Sequence, residues 1–298
     1  LWVVPAGVNM TDTLLLLVAW CAFGALARTA GPLNIPGPPW LVAMGMGAVL
    51  GEVPAAAILS AGASSPAGAA RLALAAAGGG LLGRISDPAM LVLVEGHPDM
   101  LIALAPLGVV CALIARPSAT DLVAAESENR TRTQVIVGIA VLAMVPGFTF
   151  WILLLGSLLL AIMAGDRRGH VDLAFVLWTI VALVLALLAV VAGLAEQIAT
   201  GLEEVGELAD WMGPPTLTLL AAIVAALTDG TALAVLVDGT LDRAVSLDEP
   251  QLRLGLAAGI AVGGLAPPIA AGNVRAGIRI WGLQVLAAVL WVGLWAIA

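Results

Sequence analysis

The chain has 298 residues, of which 61% are hydrophobic and only 11% charged, with a mean hydropathy of +1.09. Roughly 25% of the residues of a soluble domain are charged, so the composition excludes an ordinary soluble protein and reads as an integral membrane protein. The apolar runs are long, which argues for helical spans and against the alternating strands of an outer-membrane barrel. The net charge is -8, every basic residue is an arginine and no basic patch exists, which excludes nucleic acid as a partner.

Residues 13–27 form the first apolar helix, ending near Arg28. No basic region or small-residue cleavage site precedes it, which argues against a cleaved signal peptide; Met10 is a candidate initiator. Gly31-Pro32-Leu33-Asn34-Ile35-Pro36-Gly37-Pro38-Pro39 reads as a loop, because its prolines lack donors and disfavour a helix. Trp40 follows where an interfacial aromatic would stand. Residues 41–59 are apolar but hold Glu52 and Pro54, so they predict a bent span or two half-spans.

Ser64-Ser65-Pro66 starts the next helix, with a hydroxyl cap and a proline in the first turn. That helix is expected to reach Gly83 through Gly78-Gly79-Gly80 and to break at Arg84-Ile85-Ser86-Asp87-Pro88. Residues 100–115 are a further span. Residues 116–134 are the one long polar stretch, a linker whose arginines place it on the cytoplasmic side. Residues 135–164 are divided at Pro146-Gly147, as a hairpin or as one kinked helix.

Residues 171–194 are the clearest full-length span, and residues 196–211 are amphipathic and too polar to cross. Pro214-Pro215 opens a helix that reaches Asp229, and residues 231–241 complete that broken element. Pro250 opens a helix ending at Gly263-Gly264, and residues 280–298 close the chain, with Trp281, Trp291 and Trp295 as interface anchors or packing groups. The expected fold is an all-α polytopic membrane protein with one membrane domain of roughly nine to twelve segments. It divides into a first repeat (1–115), a polar linker (116–134), a connecting part (135–170) and a second repeat (171–298), the halves containing broken helices or re-entrant hairpins.

An internal repeat supports that division. Pro66 and Pro250 each open a helix, and the pairs Gly79-Gly80 and Gly263-Gly264 end them at the same offset, 250 − 66 = 184. Leu72, Ala73, Ala77 and Ile85 match Leu256, Ala257, Ala261 and Ile269 at that offset. Paired interruptions in two halves are the sequence pointer to a secondary transporter with its site at mid-membrane.

A carboxylate beside a helix break in an apolar run is costly unless it serves an ion, a proton or a partner. Asp229, between Thr228 and Gly230, is the principal candidate, with Thr228 and Thr231 as hard oxygen ligands. Asp87 with Ser86 stands at the other break, Asn273 offers a neutral carbonyl oxygen, and Glu52 is a further candidate ahead of Pro54. Against each stands the plainer role of a solvated helix end. Gly78-Gly79-Gly80-Leu81-Leu82-Gly83 fits G-x-G-x-x-G but follows a helix, so it is not a nucleotide loop. Gly47 and Gly51, Gly79 and Gly83, and the stripe Gly255, Gly259 and Gly263 have the spacing of close helix packing. Cys21 and Cys111 read as buried thiols, His97 and His170 stand alone, and no nucleophile-base grouping supports an enzyme.

At Leu227-Thr228-Asp229-Gly230-Thr231-Ala232-Leu233, and at Gly263 to Asn273 followed by Arg275 and Trp281, the chain resembles the ion-transporter superfamily. That group includes arsenite permeases, D-type sodium/proton antiporters and predicted cation permeases. The likeness is best over residues 215–298 and weaker over 55–115. Gly230 stands where the family has Asn, and the expected hairpin tip keeps one Asn, Asn273. The resemblance implies a multi-pass protein of the inner (plasma) membrane. It implies a homodimer or a partner in a membrane complex, no cofactor, and Na⁺ or H⁺ as coupling ion. Asp229 would be the titrating ligand (a possible Na⁺ site), Asp87 its counterpart, and Asn273, Thr228 and Ser86 neutral ligands. Two alternatives stay open: a non-transporting structural or accessory subunit, and an anion carrier using helix N-termini with Arg84 or Arg275.

Overall fold

The computed structural model describes residues 37–50, 52–82, 98–122, 129–143, 149–164, 213–227, 230, 233–234, 250–264 and 266–297, with positions 19, 22–23, 26–27 and 200. These residues are helical, with no strand among them; one antiparallel bridge joins Ala63 and Leu122. The expected segments at 171–194 and 196–211 lie outside the described residues.

Residues 41–59 fold as two half-length helices, α1 (Pro39–Leu50) and α2 (Glu52–Ala61). At 12 and 10 residues they are about 18 and 15 Å long. α3 (Pro66–Gly80) starts as expected: Ser65 is extended and its hydroxyl accepts from the Gly68 amide at 3.0 Å. It ends at Gly80 rather than Gly83. α4 (Pro98–Ala115) carries Pro106 inside it. α5 (Asn129–Ala143) and α6 (Thr149–Ala164) part around Pro146 and lie against each other where Gly156 meets Ile139, the hairpin arrangement. α7 (Pro214–Leu227), α8 (Pro250–Gly263) and α9 (Ala266–Ile297) follow.

Two expectations need correction. The polar stretch 116–134 is not all linker, because α5 already begins at Asn129 and a 3-10 turn forms at Ala119–Asp121. The predicted hairpin tip over residues 263–273 is also absent as such: α9 runs unbroken through Gly272 and Asn273. Pro267 and Pro268 fall in its first turn, where a missing N–H removes no helical bond.

Small residues fill the centre. α3 is buried at Leu72 through Gly80, and α8 at Leu254 through Gly263. Large apolar side chains face outward instead, as at Trp151, Leu155, Leu158 and Ile162 on α6 and Leu286, Leu290 and Leu294 on α9. The small residues let backbones touch. A Cβ on Gly79 would overlap the Met44 carbonyl and sit 2.8 Å from the Ala48 nitrogen. Gly255, Gly259 and Gly263 ride along α7 at Pro214, Thr218 and Ala222 in turn, which sets α7 and α8 parallel.

Polar contacts fix the directions of the rest. On α9, Trp281 donates to the Val262 carbonyl at 3.0 Å, and Gly293 lies beside Pro215, so α9 runs opposite to α7 and α8. Gln284, 1% exposed, donates to the carbonyls of Leu74 (3.1 Å) and Cys111 (2.9 Å), and Trp291 donates to Ala103 at 2.7 Å. α4 is therefore opposite to α9. α3 is opposite to α4, because Gly78 meets Gly108 and Ala112 while the chain just past α4 returns to the start of α3. Three reversals leave α3 antiparallel to α8.

That return is a clasp. Asp121, 5% exposed, takes Arg71 Nη1 at 3.1 Å, the Ser118 amide at 2.7 Å and the Ser118 hydroxyl at 3.0 Å. The Ser64 amide donates to the Asp121 carbonyl at 2.8 Å. Arg116 adopts a left-handed φ of 43° to turn the chain into it, and such a conformation for a side-chain-bearing residue persists only where surrounding contacts hold it. Hydrogen bonds to a charged group contribute about 1.5–3 kcal/mol each, less where the partner is wetted as Arg71 is. Asp121→Ala should therefore cost about 2 kcal/mol in an unfolding titration, and Arg71→Ala less, since the backbone bonds of Asp121 survive it.

Candidate functional site

Both Gly-Gly helix ends singled out by sequence lie in the interior, each beside the end of a helix that follows a Gly-Pro-Pro turn. Gly37-Pro38-Pro39 leads into α1 and Gly213-Pro214-Pro215 into α7, an offset of 213 − 37 = 176. Gly37 and Gly213 both hold positive φ, 138° and 78°, which favours glycine there. Sequence reasoning missed this second correspondence, although the triplets were there to see.

In the second half α7 is described as far as Leu227, and the buried, helical Gly230 rests on the end of α8. A Cβ on Gly230 would lie 2.9 Å from Gly264 Cα and 3.1 Å from the Ile260 carbonyl. A side chain at 230, asparagine included, would collide with that backbone. The α8 end is finished by Gly264 donating to Ile260 at 2.9 Å and by the Trp281 indole, which serves the Val262 carbonyl. In the first half, Met44 to Ala48 rest on Gly79 near the end of α3. α2 then leads from that end back to the start of α3, with Ala55, Ala56, Ile58 and Leu59 buried.

α9 measures where these ends lie. Its segment Gly277–Ile297 is the one described helix long and apolar enough to cross a membrane. Val262 sits at the level of Trp281, and Leu74 at the level of Gln284. α3 continues past Leu74 for six more residues, about 9 Å, in the direction of α9. Both Gly-Gly ends therefore stand alongside the interior of that segment.

Gln284 ties α3 and α4 to α9 between the two ends. Its acceptors are mid-helix carbonyls, so its loss orphans no donor. Gln284→Leu should cost about 1 kcal/mol, and Gln284→Glu clearly more, because a carboxylate would face two carbonyls. Comparing the two thermal midpoints checks the assignment.

The candidate ligands themselves are placed less fully. Asp229, Thr228, Thr231, Asp87 and Ser86 lie outside the described residues; Glu52 opens α2 and Asn273 lies within α9. Asn273 is thus helical and not in the tip loop expected for it. Among the described residues no group of three or more His, Cys, Asp or Glu side chains is suited to a metal ion. Cys111 is buried, as expected. No protein-family model, curated protein or solved structure matches the chain.

Proposed function

We propose that this chain is a multi-pass membrane protein built from two inverted repeats, and that it exchanges a small cation, sodium, against protons by alternating access. The observation that carries the reading is the opposed direction of α3 and α8. Each is a buried small-residue helix ending in paired glycines beside a broken partner, and each ends alongside the interior of α9. Helices of 12, 10 and 14 residues, such as α1, α2 and α7, fall short of a hydrocarbon core of about 30 Å. Irregular backbone at that depth is tolerated where protein or a water-filled cavity covers it.

Two repeats of opposite sense, with interruptions near the midplane, are the architecture that alternating access uses. The outward apolar side chains of α6 and α9 suit lipid, and the Gly/Ala interior suits helix association in lipid, where close backbone contact replaces hydrophobic drive. Asp229 immediately precedes Gly230 in the sequence, and Gly230 is the residue that rests on the α8 end.

The test is exchange by purified protein in liposomes. An imposed pH gradient should drive sodium uptake, and a sodium gradient should move protons. No coupled flux in either direction would overturn the reading. It would favour the accessory-subunit alternative, which the tight seating of Gly230 on Gly264 also fits.

A further inference from the structure

Among the described helices, α4 alone has a proline beyond its first turn. Pro106 has no N–H, so the Ile102 carbonyl four residues back lacks its helical donor, and the ring crowds that carbonyl. Pro106 and Ile102 both point outward, Ile102 at 75% exposure, so the weakened strip runs along the outer side of α4. The inner side is where α9 reaches. Trp291 donates to the Ala103 carbonyl at 2.7 Å and Gln284 to the Cys111 carbonyl at 2.9 Å. The two donors bracket the proline, one on each arm of the helix.

We propose that α4 is a hinged strap: it flexes at Pro106, residues 107–115 are its fixed base, and residues 98–105 are a swinging arm that the Trp291 indole latches to α9. The two arms are anchored unequally. The base is held by Gln284, by the backbone contact of Gly108 with Gly78, and by the Asp121–Arg71 clasp just past its end. The arm has one polar tie, Trp291, besides the apolar packing of Met100, Ala103 and Leu104.

The arms also belong to different parts of the interior. Met100, Ala103 and Leu104 lie in the apolar core shared with α8 and α9, whereas Ala112 and Ala115 lie in the core shared with α2 and α3. A strap that passes from one core to the other and yields at a single point lets the cores shift without unfolding either. Helices bend where a proline interrupts the ladder, and the segment with the fewest fixed contacts opens first. On the transporter reading, Pro106 is then a place where one repeat can turn against the other.

The test is amide hydrogen exchange of the full chain in detergent, read separately over residues 102–105 and 111–115. Trp291→Phe keeps an aromatic ring but has no donor. It should quicken exchange over residues 102–105 about tenfold, the factor a hydrogen bond of ordinary net strength supplies. Residues 111–115 should stay within about twofold. Pro106→Ala restores the missing helical bond, and added to Trp291→Phe it should bring residues 102–105 most of the way back to wild type. Equal quickening of both stretches in Trp291→Phe, or of neither, overturns the hinge, as does a failure of Pro106→Ala to restore protection. Should Trp291→Phe not fold, Pro106→Ala alone decides: slower exchange over residues 102–105 than in wild type supports the hinge, and an unchanged rate overturns it. Amide exchange needs no ion flux, so a chain that moves no sodium would lose the transporter reading while the amides still decide the hinge.

Discussion

Asp229→Asn is expected to bring sodium-driven proton movement down to the level of empty liposomes while the protein stays folded. The amide keeps one oxygen of the ligand set but carries no charge and takes up no proton in the working range. A cation leaving water for an apolar interior then lacks its counter-charge, and each 1.4 kcal/mol lost is tenfold in affinity. A hundredfold loss of sodium affinity needs only about 2.7 kcal/mol, well within what an opposite charge contributes at short range. On the transporter reading stability should move the other way or not at all, since that reading sets the carboxylate where charge is itself a cost. A structural acid paired with an arginine would behave in reverse: Asp229→Asn would lower the unfolding midpoint and spare flux. Measuring both quantities on one preparation separates the two roles.

Gly79→Ala should, with Gly47→Ala, be among the most damaging single-methyl changes in the described core. The added carbon would overlap the Met44 carbonyl and approach the Ala48 nitrogen to 2.8 Å, and those are backbone atoms within α1 that no rotamer change can move. Overpacking of this kind costs about 1–3 kcal/mol and more where the backbone must shift; about 3 kcal/mol is expected. Gly138 and Gly282 supply the contrast, because a Cβ there meets no neighbour within 4 Å. Gly138→Ala and Gly282→Ala should be neutral or should gain up to about 1 kcal/mol from helix propensity. Thermal unfolding in one detergent ranks the three, and equal midpoints for Gly79→Ala and Gly282→Ala would refute the close approach of α1 and α3.

The parts of the fold that depend on local chemistry were legible in the sequence. The start of α3 is set by its Ser65 cap, and the division of 41–59 into two helices and the parting of α5 from α6 fall where the sequence placed them. Glycines at helical spacing announced which faces touch, and Gly47, Gly79, Gly255, Gly259 and Gly263 all do so. Pro267-Pro268 misled because two adjacent prolines look like a loop, whereas at a helix start they cost no hydrogen bond. Asp121 looked like one more solvated acid in a polar stretch. It is held by a local box with Ser118, three positions back, and by Arg71, fifty positions away, and only the first of these is a local pattern. Direction was beyond reach for the same reason. It follows from Gln284, Trp281 and Trp291 reaching carbonyls on other helices, and a lone glutamine in an apolar run was the one hint on offer.

The opposed sense of α3 and α8 also constrains how the chain is made and how it arose. On the two-repeat reading, a segment duplicated in tandem can settle upside down relative to its twin only if the ancestral piece tolerated insertion either way round, or if the segment together with its connecting stretch crosses the bilayer an odd number of times. With just twelve arginines and no lysine to bias the translocon, the first route is open to this sequence. Adding lysines to one flank of the first half should lock its sidedness, and glycosylation or proteolysis tags on that half would report the flip.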